Sequence, residues 1–284
     1  MPSAQQPRQT VEEYNPCAPW KFCLKRWTWR WRLKPDYVII GAQKGGTTSL
    51  HQYLLLHPQV CSAYHKEIHF FDVNFHKRER WYRTHFPLYR PVLSGARKLV
   101  GDSTPYYFFH PLAPERAASL YPELKLMCLL RNPVDRAFSH FQHNRRKGRE
   151  NRSFLEACQD EERWLADETR NILEQPDYYS EKHRHFSYVS RGIYIDQLMR
   201  WHDCFPKEQL LILESGDFYR DTARSVSKAC EFLGLSPLES DHFEAKNKQS
   251  YPEPMESDTR KWLEDYYRPH NEKLVSYLGR DFGW

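Results

Sequence analysis

Short apolar runs alternate with amphipathic stretches along this chain, and the alternation predicts its elements. Tyr37 to Ile40 is apolar and stops at Gly41; Leu50, Tyr53, Leu54 and Leu56 then recur at helical spacing, which predicts strand, loop and helix. Further strands are predicted at Val60 after the helix stop His57-Pro58, at Lys98–Asp102, at Leu124–Leu130 and at Gln209–Leu213. Between and after them the pattern predicts helices over Asn74–Phe86, Pro111–Leu120, Val134–Arg146 with Pro133 in its first turn, and Ile193–Phe205. Two more follow, Thr222–Leu233 closed by Gly234 and a long final helix Ser257–Leu278 with Ser257 as its cap. Strands alternating with helices predict an α/β fold: a single domain with a mainly parallel central sheet flanked by helices.

Two stretches read differently. From Arg26 to Lys34, Trp27, Trp29, Trp31 and Leu33 alternate with Arg26, Arg30, Arg32 and Lys34, which predicts a strand-like ribbon with an aromatic face against the core and solvated cations opposite. With the polar, proline-containing residues before it, this ribbon forms an N-terminal arm over 1–35, leaving 36–284 as the domain. Residues 147–187 are charged and poor in apolar periods; they predict helices joined by a mobile insertion around Gln175 to His185, and Lys246–Pro254 reads as loop.

Composition narrows the function classes. At 284 residues the chain can bury a large core, and a net charge of +5 suits an anionic ligand without the dense basic stripe of a nucleic-acid binder. Seven scattered cysteines without a C-x-x-C pair point to reduced thiols and away from a zinc site. The N-terminus lacks the apolar core of a signal peptide, and no apolar run approaches a membrane span, so the expected setting is cytoplasmic.

The chemistry concentrates in the first loop. Gly41-Ala-Gln-Lys44-Gly45-Gly46-Thr47-Thr48-Ser49 brings backbone N–H groups and a helix N-terminus together where an anion can sit. Lys44 precedes the glycine pair, so this is not the Gly-x-x-x-x-Gly-Lys-Ser/Thr loop of nucleotide kinases. A second segment, Leu130-Arg131-Asn132-Pro133 through Ser139, places an arginine at a strand end and a serine in the following helix, enough to grip one phosphate. Taken singly, each also fits a plainer reading: a tight turn with a surface lysine, or a helix start with a solvated arginine. Lys66-Glu67-Ile68-His69-Phe70-Phe71-Asp72 sets ionisable groups beside two phenylalanines, a plausible wall of a partly dry pocket.

Together these segments make the chain similar to the sulfotransferases that use 3′-phosphoadenosine 5′-phosphosulfate (PAPS). The likeness runs from about Asp36 to Trp284, and the ending Tyr267-Arg-Pro-His-Asn-Glu-Lys-Leu with Leu278-Gly-Arg-Asp-Phe-Gly-Trp284 resembles the heparan sulfate branch and its bacterial relatives. The resemblance implies a P-loop-like fold and a PAPS-binding loop. In it Lys44 stabilises the leaving phosphate, Gly45, Gly46, Thr47, Thr48 and Ser49 cradle the 5′-phosphate, and Arg131 and Ser139 hold the 3′-phosphate. Tyr194, in Arg191-Gly-Ile-Tyr194, and Lys248 and Ser250 are further nucleotide contacts on the same ground, and no metal is required. Glu67 is implied as the general base, on the premise that burial raises its pKa. His69 supports it, and Asp72, Ser103, Tyr106 and Tyr107 are candidates for the acceptor side together with the 147–187 insertion.

Two departures bear on the acceptor. Where heparan-type members have a lysine before Thr-Pro-x-Tyr, this chain has Ser103, and the cysteine pair of some heparan enzymes is missing because no cysteine follows Cys230. The expected acceptor is therefore a polar small molecule, such as a saxitoxin-like alkaloid, accepting on a hydroxyl or an amine; a carbohydrate O-sulfotransferase is the alternative. A nucleotide kinase and a non-enzymatic binder of polyanions or membrane surfaces through the Trp/Arg ribbon are readings from other classes.

Overall fold

The computed structural model describes residues 25–89, 98–238 and 254–284. Five strands, β1 (Tyr37–Gly41), β2 (Val60–Ser62), β3 (Leu99–Ser103), β4 (Lys125–Leu130) and β5 (Leu210–Glu214), form one sheet in the order β2-β3-β1-β4-β5. Every pairing is parallel. Ile39 lies opposite Ser103 on one side and Met127 on the other, so β1 runs two residues past the end of β3, and β4 two past the end of β1. The chain first builds outward from β1 through β2 and β3, then returns past β1 to β4. Such a reversal leaves a crevice beyond the carboxyl ends of the central strands.

Both faces of the sheet are covered, which is why its strands read as unbroken apolar runs. Val38, Ile40, Val100, Leu126, Cys128 and Leu130 point into one core with Phe70, Phe71, Tyr107 and Trp201. The alternate residues Tyr37, Ile39, Met127 and Leu129 point into the other, with Leu50, Phe218 and Val226. The helices that supply these layers are α1 (Thr47–Leu54), α2 (Arg78–Arg83), α3 (Ala113–Leu120), α4 (Pro133–Arg146), α5 (Phe154–Glu174), α6 (Glu181–His185), α7 (Tyr194–His202), α8 (Ser215–Arg220), α9 (Thr222–Leu233) and α10 (Ser257–Leu278). A third cluster, including Phe138, Phe141, Phe154 and Tyr267, joins α4, α5 and α10.

Several expectations are corrected. The Trp/Arg stretch is no strand: Lys25–Trp27 is a helical turn and Trp29–Trp31 a 3-10 turn. Its faces are mixed: Trp27 and Trp31 are exposed and Arg32 is buried, whereas Leu33 packs on the core and Arg26, Arg30 and Lys34 are exposed as expected. Arg32 Nη1 donates to Phe86 O at 2.7 Å and Nη2 to Thr28 Oγ1 at 3.0 Å, partners that offset the removal of the guanidinium from water. Within 74–86 only short helices form in place of one continuous helix, and Tyr82 and Phe86 are wholly buried. The stretch expected to be mobile contains α6, whose Ser180 side chain accepts from His183 N and whose His183 is buried. Ser257 is the first residue of α10 and Glu256 its cap position, without a side-chain capping bond. The Lys246–Pro254 loop lies, but for Pro254, outside the described residues.

Gly101 shows how closely the two edges of this core meet. A Cβ there would lie 2.4 Å from the buried Tyr37 ring, where neither strand can yield. Gly101→Ala is expected to destabilise the protein by about 1–3 kcal/mol, the usual cost of overpacking; urea unfolding would measure it, and an unchanged midpoint would show that the strands separate freely.

Candidate functional site

The first loop leaves β1 at Gly41 and enters α1 at Thr47. Ala42 N donates to Leu129 O at 3.0 Å and Gly45 N to Ala42 O at 2.9 Å, which folds the loop down on β4. A Cβ at Gly45 would lie 2.2 Å from Leu129 O, so only glycine fits this close approach. Gly46 caps α1 with φ 111°, and Lys44 holds the left-handed region at φ 71°. Behind this turn come the first N–H groups of α1, which no helical carbonyl can satisfy. Thr47 and Ser49 are buried beside them.

Arg131 joins the loop from the neighbouring strand. Its Nη1 donates to Lys44 O at 3.2 Å, and its own carbonyl accepts from Tyr194 Oη at 2.7 Å. Asn132 caps α4 by accepting from Val134 N and Asp135 N at 3.0 and 3.2 Å, and Ser139 is buried farther along that helix. Trp284 packs edge-on against Tyr194 with ring centroids 5.8 Å apart. The chain end thus supports the residue that supports Arg131. Burial pushes the Lys44 ammonium down to about 8, and the like charges of Arg146, Arg131, Lys147 and Arg136 push in the same direction. A partly dry cationic pocket of this kind is arranged for an anion.

Glu67 and His69 stand over the end of β3. Glu67 N donates to Ser103 O at 3.2 Å and Thr104 N to Ile39 O at 3.1 Å, so the segment is tied to the same strand ends as the loop. Lys66 Nζ donates to Thr48 Oγ1 at 2.7 Å and to Glu67 Oε1 at 3.1 Å, linking the carboxylate directly to α1. His69 lies 3.8 Å from Glu67 through Nε2 and 2.6 Å from Asp72 through Nδ1. The raised pKa expected for Glu67 is not found. Burial does push it up, but the His69 hydrogen bond and the Lys66 charge outweigh burial and draw it down to about 2. Glu67 is ionised at neutral pH.

All four expected acceptor residues are closed off from solvent, Asp72 with its carboxylate on His69. Tyr107 is fully buried, its hydroxyl donating to Asp102 Oδ2 at 2.9 Å and accepting from Phe70 N at 2.7 Å. Tyr106 bonds His183 Nδ1 at 2.7 Å beneath the Arg191 guanidinium. Ser103 is wholly buried at the end of β3. Lys248 and Ser250 lie outside the described residues. Residues that the motifs did not single out do hold the site together. Arg191, buried, bonds Gln43 in the loop, Ser187 Oγ at 2.9 Å and the carbonyls of His183 and Arg184 at 2.9 and 2.6 Å. Its place in the Arg-Gly-Ile-Tyr segment was the available signal.

Residues 34–276 match the family described as the sulfotransferase domain. The chain belongs to the sulfotransferase family. A solved sulfotransferase from Alicyclobacillus acidocaldarius superimposes with a TM-score of 0.67 at 29% identity, covering 88% of this chain and 98% of that one. Among curated relatives, the membrane-associated sulfotransferase kil1 of Dictyostelium discoideum is 26% identical over 98% of this chain and 70% of its own length. The bifunctional heparan sulfate N-deacetylase/N-sulfotransferase 2 of Bos taurus is 30% identical over 87% of this chain, which spans only 30% of that protein. The heparan sulfate glucosamine 3-O-sulfotransferase 3B1 of Mus musculus is 29% identical over 88% of this chain and 65% of its own length. Membership of this enzyme family sets aside the kinase and the purely binding reading.

The sulfotransferase site contains one pair whose protonation can be tested alone. Burial pushes His69 down, but the Asp72 carboxylate more than reverses this and its pKa is raised; Asp72 is correspondingly lowered, because its own burial is outweighed by His69. The pair's contribution to stability is full between the ordinary carboxylate and imidazole pKa values of about 4 and about 6.5; it is lost as the pH falls through the lowered pKa of Asp72 or rises through the raised pKa of His69. Asp72→Asn leaves burial and the Arg184 charge pushing the imidazole down against only the weaker Glu67 contact pushing it up, so His69 is expected to titrate below about 6.5. NMR of the ring protons would follow it, and an unmoved titration would show that Asp72 does not set the charge of His69.

Proposed function

We propose that this chain moves the sulfuryl group of PAPS to a hydroxyl or an amine of a sugar acceptor. The observation that carries the reading is the crowding of positive charge around Lys44, from Arg131 just past β4 and from Arg146 and Lys147 at the C-terminal end of α4, with a carboxylate, Glu67, tied to the same loop through Lys66. These groups fit a nucleotide bearing separate 5′- and 3′-phosphates. Lys44, the glycine pair and the hydroxyl residues Thr47, Thr48 and Ser49 would take the 5′-phosphate side, and Arg131 and Ser139 the 3′-phosphate. PAPS supplies an activated sulfuryl group whose bond to the 5′-phosphate breaks as the bond to the acceptor forms.

The protein's own part is charge and proton management. Protonated Lys44 faces the oxygen on which negative charge accumulates. Ionised Glu67 receives the acceptor proton, with His69 held beside it by Asp72. Tyr194 fixes Arg131, and Arg191 fixes the loop against α6.

A sugar is favoured over the cationic alkaloid considered at first. Arg184 of α6 acts electrostatically on both His69 and Asp72, and Lys66 lies beside Glu67, so the approach to the base is cationic. A guanidinium acceptor would meet its own sign there, whereas a carboxylated or sulfated sugar would be drawn in. The heparan sulfate enzymes among the relatives point the same way.

Glu67→Gln is expected to lower transfer to a heparan-type oligosaccharide by about 10²–10⁴-fold, the usual share of a general base, with the affinity for 3′-phosphoadenosine 5′-phosphate nearly unchanged. A fully active variant would remove Glu67 from the proton-transfer step. A second expectation concerns Lys44. The free protein holds this proton only below a pH of about 8, whereas a bound phosphate stabilises it. Nucleotide affinity should therefore fall as the pH rises past that value, by up to about tenfold per unit. Calorimetry on both sides of that pH reads the effect, and a flat profile would exclude Lys44 from the phosphate site.

A further inference from the structure

The transfer chemistry leaves one surface unused. Trp27 and Trp31 are 80% and 68% exposed, the most exposed of the large apolar side chains among the described residues. With Trp29, Arg26, Arg30 and Arg80 they rim a cleft of about 560 Å³. The rim is fixed to the body of the protein: Arg80 Nε donates to Arg26 O at 3.0 Å, and Arg83 Nη2 to Arg30 O at 3.3 Å. Tyr89 N donates to Trp31 O at 2.7 Å, which brings the exposed Tyr89 alongside. From Tyr14 to Pro35 the sequence holds six lysines and arginines and no acidic residue.

Indole rings are most at home where an apolar phase meets a wet one, and guanidinium groups match phosphate oxygens. We propose that this face docks on an anionic lipid bilayer, with Trp27 and Trp31 entering the boundary between headgroups and acyl chains and Arg26, Arg30 and Arg80 on the lipid phosphates. The rings decide for a bilayer over a soluble polyanion. A chain gripped by the arginines would need no side chains standing out beyond them, whereas rings this exposed gain from a phase they can enter. No helix among the described residues is long and apolar enough to cross a membrane, so these side chains would attach the surface without a span.

Flotation of the whole protein with phosphatidylcholine vesicles, with and without phosphatidylserine, tests the proposal. The unaltered chain should float with the anionic vesicles and blue-shift its tryptophan emission. Because each surface cation strengthens attachment roughly fivefold, Arg26→Glu/Arg30→Glu/Arg80→Glu should weaken flotation well over tenfold, and Trp27→Ala/Trp31→Ala should abolish the emission shift. Binding of 3′-phosphoadenosine 5′-phosphate, measured on the same samples, should be unchanged in both variants and certifies that they are folded; if the charge reversal misfolds, Arg26→Gln/Arg30→Gln/Arg80→Gln, which should also weaken flotation over tenfold, takes its place. Failure of the unaltered protein to float, or equal flotation of folded variants, overturns the proposal. So does retention on heparin that these substitutions weaken while vesicles go unbound, which would make the cleft a glycan site.

Discussion

Lys44 is held, partly out of water, among charges of its own sign, and the rest of the site exists to keep it there. Burial and the neighbouring Arg131, Arg136, Arg146 and Lys147 all oppose its proton. Left to itself such a loop would swing toward solvent. It does not, because Gly45 is pressed against Leu129 O, Arg131 bonds the Lys44 carbonyl, and Tyr194 bonds the carbonyl of Arg131. The unfavourable self-energy is thus invested in the folded scaffold, and an arriving anion relieves it without first having to order the groups that receive it.

The second half of the site depends on the first through Lys66. One ammonium reaches both Thr48 at the start of α1 and the carboxylate of Glu67. The Glu67 carboxylate is therefore tied to the Lys44 loop by a side chain, and its backbone to β3 by the bond from Glu67 N to Ser103 O. The same ammonium and the nearby His69 keep Glu67 ionised. Ionisation readies the carboxylate to accept a proton but lowers its basicity. The proton it takes must then be acidified by bond formation at sulfur, so its transfer and the sulfuryl transfer belong to one step in the proposed reaction.

The parts of this architecture legible in the sequence are those whose signals are local. β1 and β4 are apolar on both faces because both faces are covered, and Gly234 ends α9 in the left-handed conformation its sequence position suggested. The helix expected after residue 147 forms as α5, and the capping box of Ser153 and Glu156 that opens it is an equally local signal. What was not legible depends on distant partners. Period two in the Trp/Arg stretch describes a ribbon only if the backbone is extended. Here the backbone curls, and Arg32 turns inward because Phe86 O and Thr28 are there to receive it. Glu67 stays exposed despite the buried phenylalanines that follow it, and the sign of its pKa shift rests on the placing of His69 and Lys66, which no spacing rule contains.

Arg191 shows why motif reading stopped short of the acceptor side. Its segment is recognisable, yet attention falls on Tyr194, which faces the nucleotide loop through Arg131. The arginine reaches Gln43 on one side and the carbonyls of α6 on the other, and its buried guanidinium lies over the Tyr106 ring. Such a group cannot shift without leaving charge unpaired in the interior, a far costlier event than the loss of a surface contact. The Lys44 loop and the helix whose Arg184 acts on His69 and Asp72 are consequently fastened to each other. Substitutions in α6 should therefore be read at the nucleotide as well as at the acceptor, because their shared fixture is a single buried cation.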